Sequence, residues 1–314
     1  MPELMRAVTQ SVLGGPEVLE LVETARPEPY YGEVLVRVHA AGVNPVDPAA
    51  RERGLYIGEP PFTLGWDVSG VVERVGIGVS RFKVGDEVYG MPRFPHRAGA
   101  HADYVTAPSR HFDHKPAGIS HVEAAAIPLT GLTAWQALVD TAGLREGQSV
   151  LIHAAGGGIG HLAVQIAKSV GAHVIGTART GKHEFLRGLG ADELIDYTEV
   201  DFTQAVKDVD VVLNTLPGDY AERSVSVIRD GGVLAEMHLS NRDAVFPEAV
   251  ARGIATRFTL VEPDLIGMRE LSRLINDGQL KVHVSQTFPL EEAAAAHVAM
   301  EDGHVTGKIV LTLV

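Results

Sequence analysis

Two different patterns of apolar and polar positions divide the chain. Over the first third they alternate in short runs. Glu33-Val34-Leu35-Val36-Arg37-Val38-His39 has the period of two expected of a half-buried strand. Val18–Val22 and Gly70–Gly76 repeat it, and Val84-Gly85 makes a turn ahead of a strand at Asp86–Gly90. Short strands punctuated by Gly, Pro, Asn and Asp predict a small barrel or sandwich. One short helix interrupts them, with Asp47 as its cap and Pro48 at its first position.

From Ser120 the pattern changes. Ser120-His121-Val122-Glu123 is a capping box ahead of an Ala-rich apolar run, which predicts a helix start. Strands and helices then alternate. A strand is predicted at Ser149–His153, a helix at Ile159–Val170 ended by Gly171, and a strand at His173–Thr177. A helix at His183–Leu189 stops at Gly190, and strands follow at Val209–Asn214, Gly232–Glu236 and Ala255–Val261. Nearly continuous apolar strands between helices predict a buried, doubly wound parallel sheet. The tail adds helices at Asp264–Asn276 and around Glu291–Met300, then a last strand at Lys308–Val314. The fold class is α/β, and without a repeat or a linker the expectation is two closely packed domains.

Composition narrows the function classes. A length of 314 residues corresponds to roughly two domains. With 45% hydrophobic residues the chain is too apolar for disorder, and no stretch reaches the ~18 apolar residues of a membrane span. Met1 to Arg6 lack the apolar run of a signal peptide, so a cytoplasmic protein is expected. A net charge of −13 repels phosphate backbones, which disfavours nucleic acid as the partner. The chain has no cysteine, which excludes disulfides, thiol catalysis and cysteine-ligated zinc or iron–sulfur sites. Among the 14 histidines, His96/His101 and His111/His114 are close in sequence but lack an evident third ligand, so no metal is expected.

The most informative segment is His153-Ala154-Ala155-Gly156-Gly157-Gly158-Ile159-Gly160, between a strand and a helix. In that place glycines let the backbone approach a pyrophosphate, and the helix N-terminus offers amides and a positive dipole end. Against Gly-x-Gly-x-x-Gly, Ala155 replaces the first glycine while Gly157 and Gly160 keep the others. A tight strand-to-helix turn needs similar residues. The dinucleotide reading rests on the flanking elements, with a second strand about 20 residues on. At the end of that strand an NAD site places Asp or Glu. The segment Gly176–Lys182 has neither. Arg179 and Lys182 either clamp a 2′-phosphate or are ordinary solvated cations. NADPH is the expected cofactor.

At this point the sequence resembles the zinc-independent, quinone oxidoreductase-like branch of the medium-chain dehydrogenase/reductase superfamily, over nearly its whole length. The matching stretches are Ala40-Ala41-Gly42-Val43-Asn44-Pro45-Val46-Asp47, Leu64-Gly65-Trp66-Asp67-Val68-Ser69-Gly70-Val71-Val72 and Val84-Gly85-Asp86-Glu87-Val88. They are joined by Ala154–Gly160 with Gln165, and by Gly307-Lys308-Ile309-Val310-Leu311. The resemblance implies a GroES-like β-barrel domain from residues 1–122 and 266–314. A Rossmann NADP(H)-binding domain at 123–265 would be inserted between them, with the cofactor in the interdomain cleft. Zinc-dependent relatives carry a cysteine near Asn44 and Gly-His-Glu at Gly65-Trp66-Asp67; this chain has neither.

Without a metal to polarise the acceptor, hydride transfer requires one that is already activated, a quinone or an α,β-unsaturated carbonyl. The protein then positions it and donates a hydrogen bond to the developing enolate oxygen. By resemblance the catalytic candidates are Asn44, Asp47 and Tyr56; the bland readings are a helix cap for Asp47 and a loop aromatic for Tyr56. Candidate cofactor contacts are Ala155, Gly157, Gly158, Ile159, Gly160, Thr177, Arg179, Lys182 and Asn214, with Thr130 and Lys308 added by the resemblance. Many relatives carry an aromatic where this chain has Ala49, which implies a roomier pocket. Arg93 and His101 belong to a 91–104 loop expected at its entrance. The edge strand read over 255–263 implies a homodimer. Alternatives are an enoyl-thioester reductase and a non-catalytic NADPH-binding protein.

Overall fold

A computed structural model describes residues 3–314; of the N-terminal stretch read above, Met1 and Pro2 lie outside the described residues. The chain forms two compact units. One comprises the residues up to Leu132 together with Glu262–Asp277 and Val282–Val314; the other comprises Thr133–Val261 and Gly278–Lys281.

The first unit is the strand-rich, GroES-like one. Its seven-stranded sheet runs in spatial order Val284–Pro289, Lys308–Thr312, Glu33–Val43, Asp67–Val75, Glu87–Gly90 and Phe112–His114. Tyr104–Pro108 pairs beside Glu33–Val43. A three-stranded sheet orders Glu20–Ala25, Leu4–Gln10 and Phe62–Thr63. Alternation places Val34, Val36 and Val38 in one apolar core with Val68, Val72, Val88, Phe112, Ile309 and Leu311. The C-terminal strand pairs antiparallel with Ala40–Val43, so the chain's tail completes the unit its beginning started.

The second unit is a six-stranded, wholly parallel sheet in spatial order Glu193–Ile195, His173–Thr177, Ser149–Ile152, Val209–Asn214, Ile228–Glu236, Ala255–Phe258. Numbered along the chain this is 3-2-1-4-5-6, the order of a dinucleotide-binding fold. Leu151, Val212, Leu234 and Ile228 pack with Phe202 and Val225 in its core. Strands buried this completely explain the near-continuous apolar runs. No helix among the described residues is long and apolar enough to cross a membrane.

Several local expectations need correction. The helix placed at Asp47–Pro48 begins earlier, at Val46, and runs to Arg53. Asp47 therefore sits in its first turn instead of capping it, because its carboxylate turns back to accept the Asn44 amide at 2.7 Å. The capping box is present: Ser120 Oγ accepts from the Glu123 amide at 3.2 Å and Glu123 Oε2 from the Ser120 amide at 2.8 Å. The Ala-rich run behind it splits into helices at His121–Ala125 and Pro128–Trp135, followed by a π-helical segment to Thr141. Thr130 is thus helical, its hydroxyl donating to the Ala126 carbonyl at 3.1 Å. The edge strand is shorter than read, ending at Phe258. The strands at Leu4–Gln10 and Val284–Pro289 had no sequence expectation.

Candidate functional site

In the parallel sheet, the strand order reverses between Ser149–Ile152 and Val209–Asn214, and the glycine segment follows the first of these. Its turn is built by named contacts. Ala154 takes a left-handed φ of 49°. The Ala155 amide donates to the Thr177 carbonyl at 3.0 Å and the Gly157 amide to the Ala154 carbonyl at 2.9 Å. Thr177 Oγ1 accepts from the Ala154 amide at 3.2 Å. Thr177 and Ala155 are buried, so they anchor the turn to the neighbouring strand. A Cβ on Gly160 would stand 2.6 Å from Ala155 Cα and 2.7 Å from its carbonyl oxygen. Only glycine lets the helix Gly160–Ser169 start this close beneath the turn. Among the described residues the amides of Gly158 and Ile159 have no backbone acceptor, and they stand at the helix N-terminus, where an anion is favoured.

Two cations flank this turn. The aliphatic stem of Lys182 covers Gly156, where an added Cβ would lie 2.7 Å from Lys182 Cδ. Burial, then the neighbouring Arg179, hold the Lys182 ammonium below the ordinary lysine range. Arg179 is exposed, with Nε 3.2 Å from the Tyr197 hydroxyl. One carboxylate, Asp196, does come near, but its acceptor capacity is taken. Oδ2 accepts from the Thr180 amide and hydroxyl at 2.5 and 2.6 Å. Oδ1 accepts from the Thr198 amide and hydroxyl at 2.9 and 2.6 Å. Those bonds, the Thr180 hydroxyl's first, hold the carboxyl far below its usual range. Asn214 is also occupied, donating to the Leu216 carbonyl at 3.0 Å and Glu236 Oε2 at 2.8 Å. The turn, Thr177, Arg179 and Lys182 thus form one neighbourhood, while Asn214 braces its own loop.

The strand-rich unit gathers a second group, centred on two residues that sequence reasoning did not pair. Asp67 is fully buried: Oδ1 accepts the Leu129 amide at 2.6 Å, and Oδ2 accepts the Asn44 side-chain amide at 2.8 Å. Lys308, buried as well, donates to the Val43 carbonyl at 3.0 Å and to Asn44 Oδ1, with Nζ 3.7 Å from Asp67 Oδ2. Burial pushes the Asp67 carboxyl up and the Lys308 ammonium down, and each charge opposes the shift of the other. Asn44 and Asp47 are both buried beside the pair. Burial pushes the Asp47 carboxyl up to about 7, and its Oδ1 has no hydrogen-bond partner among the described residues. Thr130 lies on the helix whose Leu129 amide caps Asp67. Asn44, Asp47 and Lys308 therefore hold each other and Asp67 in a fixed buried arrangement.

This donor set does not fit a zinc ion. Zinc takes thiolate, imidazole and carboxylate, whereas positions 44, 66 and 67 offer an amide, a buried indole bonded to the His96 carbonyl, and a carboxylate facing an ammonium. No group of three or more His, Asp or Glu among the described residues is arranged to hold a metal.

Tyr56 stands apart from the buried group, half-buried, at a positive φ of 67°. Burial pushes its hydroxyl above the ordinary tyrosine range, so it remains a donor at neutral pH. The 91–104 loop departs from expectation at His101, which is wholly buried, so desolvation pushes its imidazole down to about 4. Arg93 is tied down by Glu33 and by the Thr106 carbonyl at 3.1 Å. Sequence reasoning also passed over His153. Burial holds it down to about 3, and it bonds Ser224 Oγ at 3.0 Å with Phe202 and Tyr220 edge-on to its ring. Its apolar neighbours in the strand gave no signal of that role.

Comparison with known proteins agrees with both halves of this architecture. Residues 30–117 match the alcohol dehydrogenase GroES-like domain family and residues 189–311 the zinc-binding dehydrogenase family. The quinone oxidoreductase of Homo sapiens is 33% identical, the alignment covering 99% of this chain and 98% of that protein. The structure of the quinone oxidoreductase from Coxiella burnetii superposes with a TM-score of 0.93 at 34% identity, covering 99% of this chain and 100% of that one. An Escherichia coli quinone oxidoreductase complexed with NADPH superposes with a TM-score of 0.87 at 29% identity, covering 98% and 100%.

Proposed function

This chain belongs to the quinone oxidoreductase-like medium-chain dehydrogenase/reductase family, and from that premise we propose that it is an NADPH-dependent reductase of quinones or α,β-unsaturated carbonyls that works without zinc. The observation carrying the cofactor choice is the pair Arg179 and Lys182 beside the glycine turn, with Asp196 already saturated by its own threonines. A ribose 2′-hydroxyl would find no free carboxylate there, whereas a 2′-phosphate would find two cations. The residues that would hold the dinucleotide are Ala155, Gly157, Gly158, Ile159 and Gly160 in the turn, with Thr177 supporting it. Arg179 and Lys182 would hold the 2′-phosphate.

When bound, the cofactor supplies the hydride. The chain's own residues hold the acceptor and stabilise the oxygen on which charge develops. Tyr56, with a protonated hydroxyl, is the donor we assign to that oxygen. Asn44 and Lys308 are held by the Asp67 network, and Asp47 by the Asn44 amide, so they are read as fixed supports rather than as donors to the acceptor. A fluorescence titration with NADPH and NADH tests the cofactor assignment. NADPH is expected to bind at least tenfold more tightly, about 1.4 kcal/mol, and Arg179→Ala should abolish most of that preference. Equal binding of the two by the unaltered protein would overturn it.

The exposed edge Ala255–Phe258 of the parallel sheet is read as the seam of a homodimer, two such edges pairing across a two-fold. Light scattering after size exclusion should give twice the chain mass of 33.5 kDa; a monomer at micromolar concentration would rule this out.

A further inference from the structure

Tyr56 stands in a loop, residues 54–61, that carries little regular structure to hold it. Gly54, Tyr56 and Gly58 have φ of 66°, 67° and 74°, a left-handed path that a tyrosine adopts only under constraint. On its incoming side the loop is fixed by the end of the helix Val46–Arg53, where the Gly54 amide donates to the Ala50 carbonyl at 2.8 Å. On its outgoing side one side chain from another segment does the work. Arg97 Nε donates to the Ile57 carbonyl at 2.8 Å, Nη1 to the Pro61 carbonyl at 3.2 Å, and Nη2 to the Glu59 carbonyl at 2.5 Å. Its guanidinium also covers the Phe62 ring, 5.4 Å from the centroid.

Arg97 makes no ion pair among the described residues, so its donors go to this loop's backbone. A planar fork of donors is what arginine has and lysine lacks.

A second tie joins the same two segments. The Tyr56 ring meets Phe94 edge-on, centroids 5.7 Å apart, and Phe94 meets the buried Trp66 edge-on at 5.5 Å. Trp66 Nε1 donates to the His96 carbonyl at 2.8 Å, next to Arg97. The loop bearing Tyr56 is therefore held at its backbone by a guanidinium fork and at its ring by an aromatic ladder. The Tyr56 hydroxyl itself has no hydrogen-bond partner among the described residues.

We propose that Arg97 is a positioning residue for acceptor reduction, fixing the Tyr56 hydroxyl by pinning the carbonyls of Ile57, Glu59 and Pro61. The inference rests on the assignment of Tyr56 as donor to the acceptor oxygen. A fixed donor stabilises charge that appears only in the transition state, so loosening it should lower kcat more than it raises the acceptor KM. Arg97→Lys keeps the stem over Phe62 and the charge but loses the fork, and is expected to be impaired as well.

The test is a double-mutant cycle in which NADPH oxidation by 1,4-benzoquinone is followed at saturating NADPH. Tyr56→Phe should lower kcat about tenfold or more. Arg97→Ala and Arg97→Lys should each lower it about five- to tenfold in the unaltered protein, yet less than twofold in the Tyr56→Phe background, with the NADPH dissociation constant unchanged. A coupling of that size corresponds to about 1 kcal/mol. Should Arg97→Ala fold poorly, melting curves will show it and Arg97→Lys carries the test. If Tyr56→Phe turns over like the unaltered protein, the Tyr56 assignment falls and the inference with it. If Tyr56→Phe is slow but the Arg97 variants are fully active, or lose equally in both backgrounds, Arg97 is not positioning Tyr56.

Discussion

Lys308→Met should destabilise the strand-rich unit by about 3–5 kcal/mol, the range seen when one member of a buried ion pair is removed. The lysine ammonium faces Asp67 and holds the Asn44 carbonyl oxygen and the Val43 carbonyl. Without it, Asp67 is a carboxylate with no countercharge in a site closed to water. It would still have the Leu129 and Asn44 donors, which keeps the loss within that range and spares it the full cost of an isolated buried ion. Urea unfolding followed by circular dichroism measures this directly. Adding Asp67→Asn to Lys308→Met should recover most of the loss, because an asparagine oxygen can still accept from Leu129 while the stranded charge is gone. A single variant that loses less than about 1 kcal/mol would mean that the pair is not ionised in the folded protein.

Asp47→Asn should change stability in the opposite direction, and in a pH-dependent way. The carboxyl is raised from an ordinary 3.8 in the unfolded chain to about 7 in the folded one, first because it is desolvated. Below pH 4 both states are protonated and the stabilising contribution is complete. As pH rises from about 4 to 7 the unfolded chain releases its proton while the folded protein keeps it, so stability falls; above 7 both are ionised and the curve is flat. The fall corresponds to roughly 4 kcal/mol at most. Asparagine at this position cannot ionise, yet its oxygen can accept the Asn44 amide that Asp47 Oδ2 accepts now. The variant is therefore expected to be more stable than the unaltered protein at pH 7 and equal to it near pH 4. Thermal melts across that interval decide the matter: parallel curves for the two proteins would place the Asp47 carboxyl in its ordinary range.

Both predictions concern residues that stood out in the sequence for other reasons. By resemblance Lys308 is expected as a cofactor contact and Asp47 as a catalytic residue, with a helix cap as the alternative for Asp47. Neither reading carries the partner that decides its energetics. Asp67 reaches Lys308 because the C-terminal strand returns to pair with Ala40–Val43, which in turn pairs with Asp67–Ser69. That adjacency depends on strand order across the whole chain. Asp47 lies inside the helix, one residue past its start, and its carboxylate accepts the Asn44 amide before it. His101 shows the same limit: a histidine among loop residues looks solvated, and only the packing around Gly65 and Gly42 buries it.

What the sequence determined by itself are the features written within one turn or one strand. Alternation of period two marked the strand-rich third, and unbroken apolar runs marked the parallel strands, because side-chain direction repeats over two residues and burial on both faces removes the alternation. Ser120 and Glu123 fixed a helix start by bonds spanning three residues. Glycines at 157 and 160 with strand before and helix after marked the place of the glycine turn, and at 160 a Cβ would stand within 2.7 Å of the turn's backbone. The tertiary structure alone decided which polar groups are left to act. It saturated Asp196, buried Asn44, Asp47 and Lys308 into one network, and left the Tyr56 hydroxyl without a partner among the described residues, in a loop whose carbonyls Arg97 holds. The reason is physical: whether a donor or a charge is spent or free depends on every group within about 4 Å, and most of those groups come from distant parts of the chain.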